Sequence, residues 1–104
     1  MKLVKQIYVV TKSFPPDERF GITAQIRRSS TSILANLAEG FSRKHDADKA
    51  YKYVIARGEC SETLAFLLVA MELGYVEEHS AKPAITLTHE TGKLLSGLIH
   101  RFSA

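Results

Sequence analysis

At 104 residues, with 45% hydrophobic and 24% charged side chains, the chain has the make-up of one soluble domain, 1–104, with a modest core. No apolar run approaches the roughly 18 residues that a membrane span needs. The single cysteine excludes an intrachain disulfide and a cysteine-rich zinc site. The net charge of +3 is unevenly spread: residues 1–57 hold 11 Lys/Arg against 5 Asp/Glu, and residues 58–104 hold 3 against 6. The basic surplus lies wholly in the first half and suits a polyanion-facing surface there, although a mildly basic balance is also common in proteins without such a partner.

The opening MKLVKQIYVV lacks a long apolar stretch and a small-residue cleavage site, so it does not read as a signal peptide. A cytoplasmic protein without a membrane role is the plain expectation. Leu3, Ile7, Val10 and Phe14, spaced 4, 3 and 4, predict a first helix over about Lys2–Ser13. It ends at Pro15-Pro16, where neither residue can donate a backbone hydrogen bond.

The second helix is predicted from Arg19–Ile22 to about Ser42 and carries two faces. At about 100° per residue, Ile22, Ile26, Ile33, Leu37 and Gly40 share one arc. Beside it runs a polar stripe of Gln25, Ser29, Ser32, Asn36, Glu39 and Arg43. A simple globule puts its polar residues opposite the core; a row of small hydrogen-bonding residues at the core's edge points to a helix packed on two sides. The Ser29-Ser30-Thr31-Ser32 run reads as close helix packing rather than phosphate binding.

Arg43-Lys44-His45 forms a basic turn, and Asp46 is the expected N-cap of a third helix running to about Leu73, where Gly74 suits the left-handed stop. Tyr53, Cys60, Leu64, Leu67, Leu68 and Met71 make one broad face, enough to seal a core. Tyr51, Ile55, Phe66, Val69 and Leu73 cluster nearly opposite, with only Glu62 among them. A helix apolar on both sides is buried on both sides, so this second set is the expected oligomer interface. Arg57 falls in the core-facing arc, where an unpaired guanidinium is very costly, so it should meet a carboxylate or snorkel outward. Glu39 on the preceding helix is its expected partner, and Asn36, Glu39 and Arg57 form a candidate buried polar network. Ser80 is the expected cap of a fourth helix with Pro83 in its first turn and Leu87, Leu94, Leu95, Leu98 and Phe102 on its apolar face. Four long helices with short connections predict an all-α, antiparallel up-down four-helix bundle.

The run Gln25-Ile26-Arg27-Arg28 followed by Ser32-Ile33-Leu34-Ala35-Asn36-Leu37-Ala38-Glu39-Gly40 and Arg43 resembles the bacterial four-helix bundle proteins found as reading frames within intervening sequences of 23S rRNA genes. Phe14-Pro15, Glu18-Arg19-Phe20-Gly21, Ala56-Arg57-Gly58 and Glu72-Leu73-Gly74-Tyr75 extend the resemblance over nearly the whole chain. It implies a bundle assembling as a ring, typically a homopentamer. It also implies kinship with the accessory variability determinant proteins of diversity-generating retroelements, which bind nucleic acid and a reverse transcriptase. Two departures stand out: Leu34 replaces a common proline, and family chains usually begin about a dozen residues earlier. The first helix is short, roughly 20 Å against about 42 Å for the third: either the true start lies upstream, or the bundle has a notch that exposes the end near Phe41, the start of the third helix and Phe102.

Signs of catalysis are few. No Gly-rich phosphate loop, nucleophile elbow or HExxH pattern occurs, and His45, His79, His89 and His100 show no metal-ligand spacing. Cys60 reads as a small core residue. No enzyme, cofactor or metal is therefore expected. Two functional readings remain. In the first, the protein is an oligomeric accessory factor contacting RNA or DNA phosphates through Lys5, Lys12, Arg19, Arg27, Arg28, Arg43 and Lys44. In the second, it is a scaffold that binds another protein and has no nucleic-acid role. Basic residues gathered on one surface would favour the first, and their dispersal into local ion pairs the second.

Overall fold

The computed structural model describes residues 1–103 and is all-helical, with four helices and no strand among them: α1 (Lys2–Thr11), α2 (Ile22–Ser42), α3 (Asp46–Glu72) and α4 (Glu78–Phe102). Only a short 3₁₀ turn, Pro16–Glu18, interrupts the connection from α1 to α2. α3 packs against α2 and α4, and α1 closes the remaining side against the same two helices.

The core follows the predicted rows in the first three helices; in α4 Leu95 is buried as expected, but Leu94 is 56% exposed and Ala81, Ala84 and Thr88 are buried in its stead. Leu3, Ile7, Val10 and Phe14 of the first segment meet Ile26 and Ile33 of α2, Tyr53, Cys60 and Leu67 of α3, and Ala81, Ala84 and Leu95 of α4. Ser29 and Ser30 are fully buried with them. The Ser29 hydroxyl lies 2.7 Å from that of Thr63 on α3, which itself donates to the Glu59 carbonyl. These small side chains let α2 and α3 approach closely, and each of the hydroxyls of Ser29, Ser30 and Thr63 has a hydrogen-bond partner.

The helix ends differ in part from expectation. α3 stops as predicted: Gly74 takes φ 75°, and the N–H of Tyr75 reaches the Ala70 carbonyl while that of Gly74 reaches Met71. This pattern satisfies two terminal carbonyls at once. The N-cap of α3, however, is His45, and Asp46 lies within the first turn with Asp48. There both carboxylates favour the positive end of the helix dipole. α4 likewise starts at Glu78, before Ser80, and Pro83 sits inside the helix. The Glu77 carbonyl accepts from Ser80 and Ala81, and buried Val76 pins the chain just upstream, so winding begins earlier than a serine cap would dictate.

Two ends of the molecule are thereby defined. At one, Phe14 stacks at a tilt on Tyr75, whose hydroxyl donates to Glu18 at 2.8 Å, and Ser13 donates to the Tyr75 carbonyl. At the other, the buried Tyr53 ring is flanked by Phe41 and Phe102. Lys49 donates to the Gly40 and Phe41 carbonyls that end α2, a cation placed where the helix dipole is negative. α1 has 10 residues against 27 in α3; at this end Phe41 is 60% exposed, while Phe102 is half-buried.

Candidate functional site

α3 carries more exposed large apolar side chains than any other helix among the described residues. Tyr51, Val69 and Leu73 are exposed, Leu73 by 55%, whereas Ile55 and Phe66 are half-buried and Phe66 packs partly against the core. Val54 and Leu68 are exposed as well. Leu68 corrects the sequence reading, which gave it to the core. Its place on the helix is at the edge of the buried arc, and the neighbouring helices cover Leu67 and part of Leu64 and Met71 instead.

The seven basic residues singled out from sequence do not come together. Arg28 is held by Glu59 at 3.1 Å and by Glu62, and it also donates to Gln25. Arg27 donates to the Thr11 hydroxyl at 2.9 Å and lies 4.5 Å from the centre of the Tyr8 ring, so it pins α2 to α1. Arg19 stacks over Phe20. Lys5, Lys12, Arg43 and Lys44 are exposed and form no ion pair among the described residues. Lys12 and Arg19 flank the Phe14–Tyr75 end, and Arg43 and Lys44 follow α2 at the other, about 30 Å away by the length of a 21-residue helix.

The expected network of Asn36, Glu39 and Arg57 does not form within the chain. Asn36 donates to the Ser32 carbonyl of its own helix. Glu39 pairs with Lys52 at 3.0 Å; that hydrogen bond and charge, with a weaker contribution from Arg43, hold its carboxyl below the usual range. Arg57 is exposed and reaches Ser96 of α4 at 3.5 Å. It sits at the α4-facing edge of α3, whereas Lys52 is on the edge that faces α2. Lys49 and Lys52 were not singled out from sequence, although both lie on α3 within reach of the end of α2.

Other reactive groups are muted. Cys60 is buried, donates to the Thr88 carbonyl at 3.1 Å, and burial pushes its thiol pKa up. The bond to Glu18, together with desolvation, raises that of Tyr75. Among the described residues no three His, Cys, Asp or Glu side chains approach closely enough to hold a metal ion, and no helix is long and apolar enough to cross a membrane.

The family model for the 23S rRNA-intervening sequence protein matches residues 1–97. The chain belongs to that family. Among solved structures, this 23S rRNA-intervening sequence family chain is similar to a protein of unknown function from the S23 ribosomal protein family of Bacteroides thetaiotaomicron. Identity is 28%, the match covers 94% of this chain and 88% of that one, and the TM-score is 0.80. No curated protein matches the sequence.

Proposed function

We propose that this protein is a self-assembling four-helix scaffold, with its helices packed antiparallel and its copies joined through the second face of α3 into a ring. The observation that carries this reading is that exposed Tyr51 and Val54 near the start of α3 and exposed Leu68, Val69 and Leu73 at its end lie on a helix whose other side already closes the core. Grouped exposed apolar side chains of this kind mark interaction sites. The antiparallel arrangement is supported by pairings that run in opposite directions. Gly40, late in α2, meets Tyr53, early in α3, while Ser29 meets Thr63; Arg57 and Cys60 meet Ser96 and Thr88 in the reverse order. Copies that contact through two different surfaces close into a ring when the rotation between them allows it, and five copies is the number that the family resemblance implies. Sedimentation of the unmodified protein at micromolar concentration tests the assembly; a monomer would overturn it.

A second reading, favoured by the four unpaired cations Lys5, Lys12, Arg43 and Lys44 and by the basic first half, is that the assembled particle binds nucleic acid in the cytoplasm. Repetition around a ring would bring cations from separate copies into one field even though one chain divides them between its ends. The resemblance to retroelement accessory proteins noted from the sequence extends this reading to a complex with a reverse transcriptase. Titration with RNA and DNA across a salt series tests it. Binding to neither at low salt leaves the scaffold alone. No catalytic role is proposed.

A further inference from the structure

α3 and α4 do not close against each other along their whole length. Between them lies a groove of about 440 Å³, within the range of small-molecule sites. Its floor is Cys60 and Gly92. A Cβ at Gly92 would meet only the Cys60 sulfur, at 3.8 Å, so the missing side chain leaves the floor open. The thiol is turned to the Thr88 carbonyl, and the surface it leaves behind is apolar.

The walls are charged in one sense only. Arg57 of α3 and His89 and Lys93 of α4 line the groove, and no acidic residue does. None of the three forms an ion pair among the described residues, and the Arg57 guanidinium has only a long contact to Ser96. Between α2 and α3, by contrast, Arg28 and Lys52 are each answered by carboxylates. A scattered surface cation needs no explanation. Two permanent cations contributed by two helices around a concave apolar floor, with no carboxylate among the lining residues, form an arrangement complementary to an anion.

We propose that this groove binds a small organic anion, its carboxylate or phosphate head held by Arg57 and Lys93 and its flat apolar body resting on the Cys60–Gly92 floor. The planar guanidinium offers paired donors that match either head group, and the lysine adds a point charge. Ser96, and His89 according to its tautomer, complete the polar contacts. Arg43 and Lys44 are not among its lining residues, so it does not rest on the nucleic-acid reading.

Calorimetric titration of the full chain with 1-naphthyl phosphate and with 2-naphthoate, together with amide shifts along 57–64 and 88–96, tests the assignment. Saturable binding of one anion per chain is expected, with the tighter acid identifying the head group and neutral 2-naphthol binding about tenfold more weakly or worse. Arg57→Gln and Lys93→Gln, both at exposed positions, should keep the helical circular dichroism and each weaken binding about tenfold, the scale of one charge-assisted hydrogen bond. Gly92→Leu fills the floor while sparing the cations and should abolish binding. Arg43→Ala with Lys44→Ala should leave it unchanged, which separates this site from a nucleic-acid surface. Absence of saturation by either acid, equal binding of 2-naphthol, or undiminished binding in both glutamine variants would overturn the proposal.

Discussion

Gly40 of α2 carries the ring of Tyr53 of α3 directly on its backbone. A Cβ at Gly40 would stand 2.9 Å from Cδ1 of that ring and 3.1 Å from Cζ. The ring is fully buried, with Phe41 and Phe102 each 5.9 Å away between centroids, so it has nowhere to swing. The glycine is therefore required by close approach; its backbone angles are helical. Gly40→Ala should destabilise the protein by about 1–3 kcal/mol through overpacking, more than the roughly 1 kcal/mol that alanine contributes to helix propensity. Urea denaturation at fixed protein concentration measures the balance, and a variant as stable as the parent would show that the ring yields.

The Tyr53 hydroxyl is buried without a hydrogen-bond partner, and burial raises the phenol pKa. A stranded polar group costs free energy that its removal returns. Tyr53→Phe should accordingly be neutral or stabilising by up to about 1 kcal/mol. If melting shows a clear loss instead, the hydroxyl has a partner in solution, which the assembled particle would have to supply.

Glu39 should couple to Lys52 and not to Arg57. In double-mutant cycles, Glu39→Gln and Lys52→Met should be non-additive, while Glu39→Gln and Arg57→Ala should add. The pH dependence has a definite sign. Because the folded carboxyl titrates below its ordinary value near 4.5, its contribution is present above that value and is lost as pH falls through the folded pKa. Glu39→Gln should flatten that part of the acid limb. Coupling between Glu39 and Arg57 would mean that they meet across a subunit boundary.

Val69→Asp and Leu73→Asp should give smaller species by sedimentation while far-ultraviolet circular dichroism stays helical, because both side chains are exposed on α3. Phe66→Asp is the less selective change, since Phe66 also packs on the core and its loss should lower stability as well. Variants that keep the parent's size would move the interface elsewhere.

If the particle binds nucleic acid, Arg43→Ala and Lys44→Ala should each lower the salt slope by about one. Arg27→Ala and Arg28→Ala should change binding less and stability more, since Arg27 stacks on Tyr8 and Arg28 bridges to Glu59 and Glu62. A larger binding loss from the Arg27 and Arg28 changes would show that those internal contacts open on binding.

Read along the chain, the residues determined the four helices, the stop at Gly74, the core rows from Leu3 to Phe14 and from Ile26 to Ile33, and the second apolar side of α3. These depend on what repeats within a few turns of one helix, and local periodicity, glycine and proline report it directly. What lies at the edge of each buried arc was decided by the tertiary structure. Leu68, Arg57 and Lys52 sit on the flanks of α3, where a small rotation of the helix determines whether a side chain meets α2, α4 or water. The partner of Glu39, the ring over Gly40, the lysine at the end of α2 and the division of basic residues between two ends all follow from that rotation and from which helix stands on each side. Neither quantity is encoded in the sequence of a single helix, because each is set by how four side-chain surfaces fill one shared core.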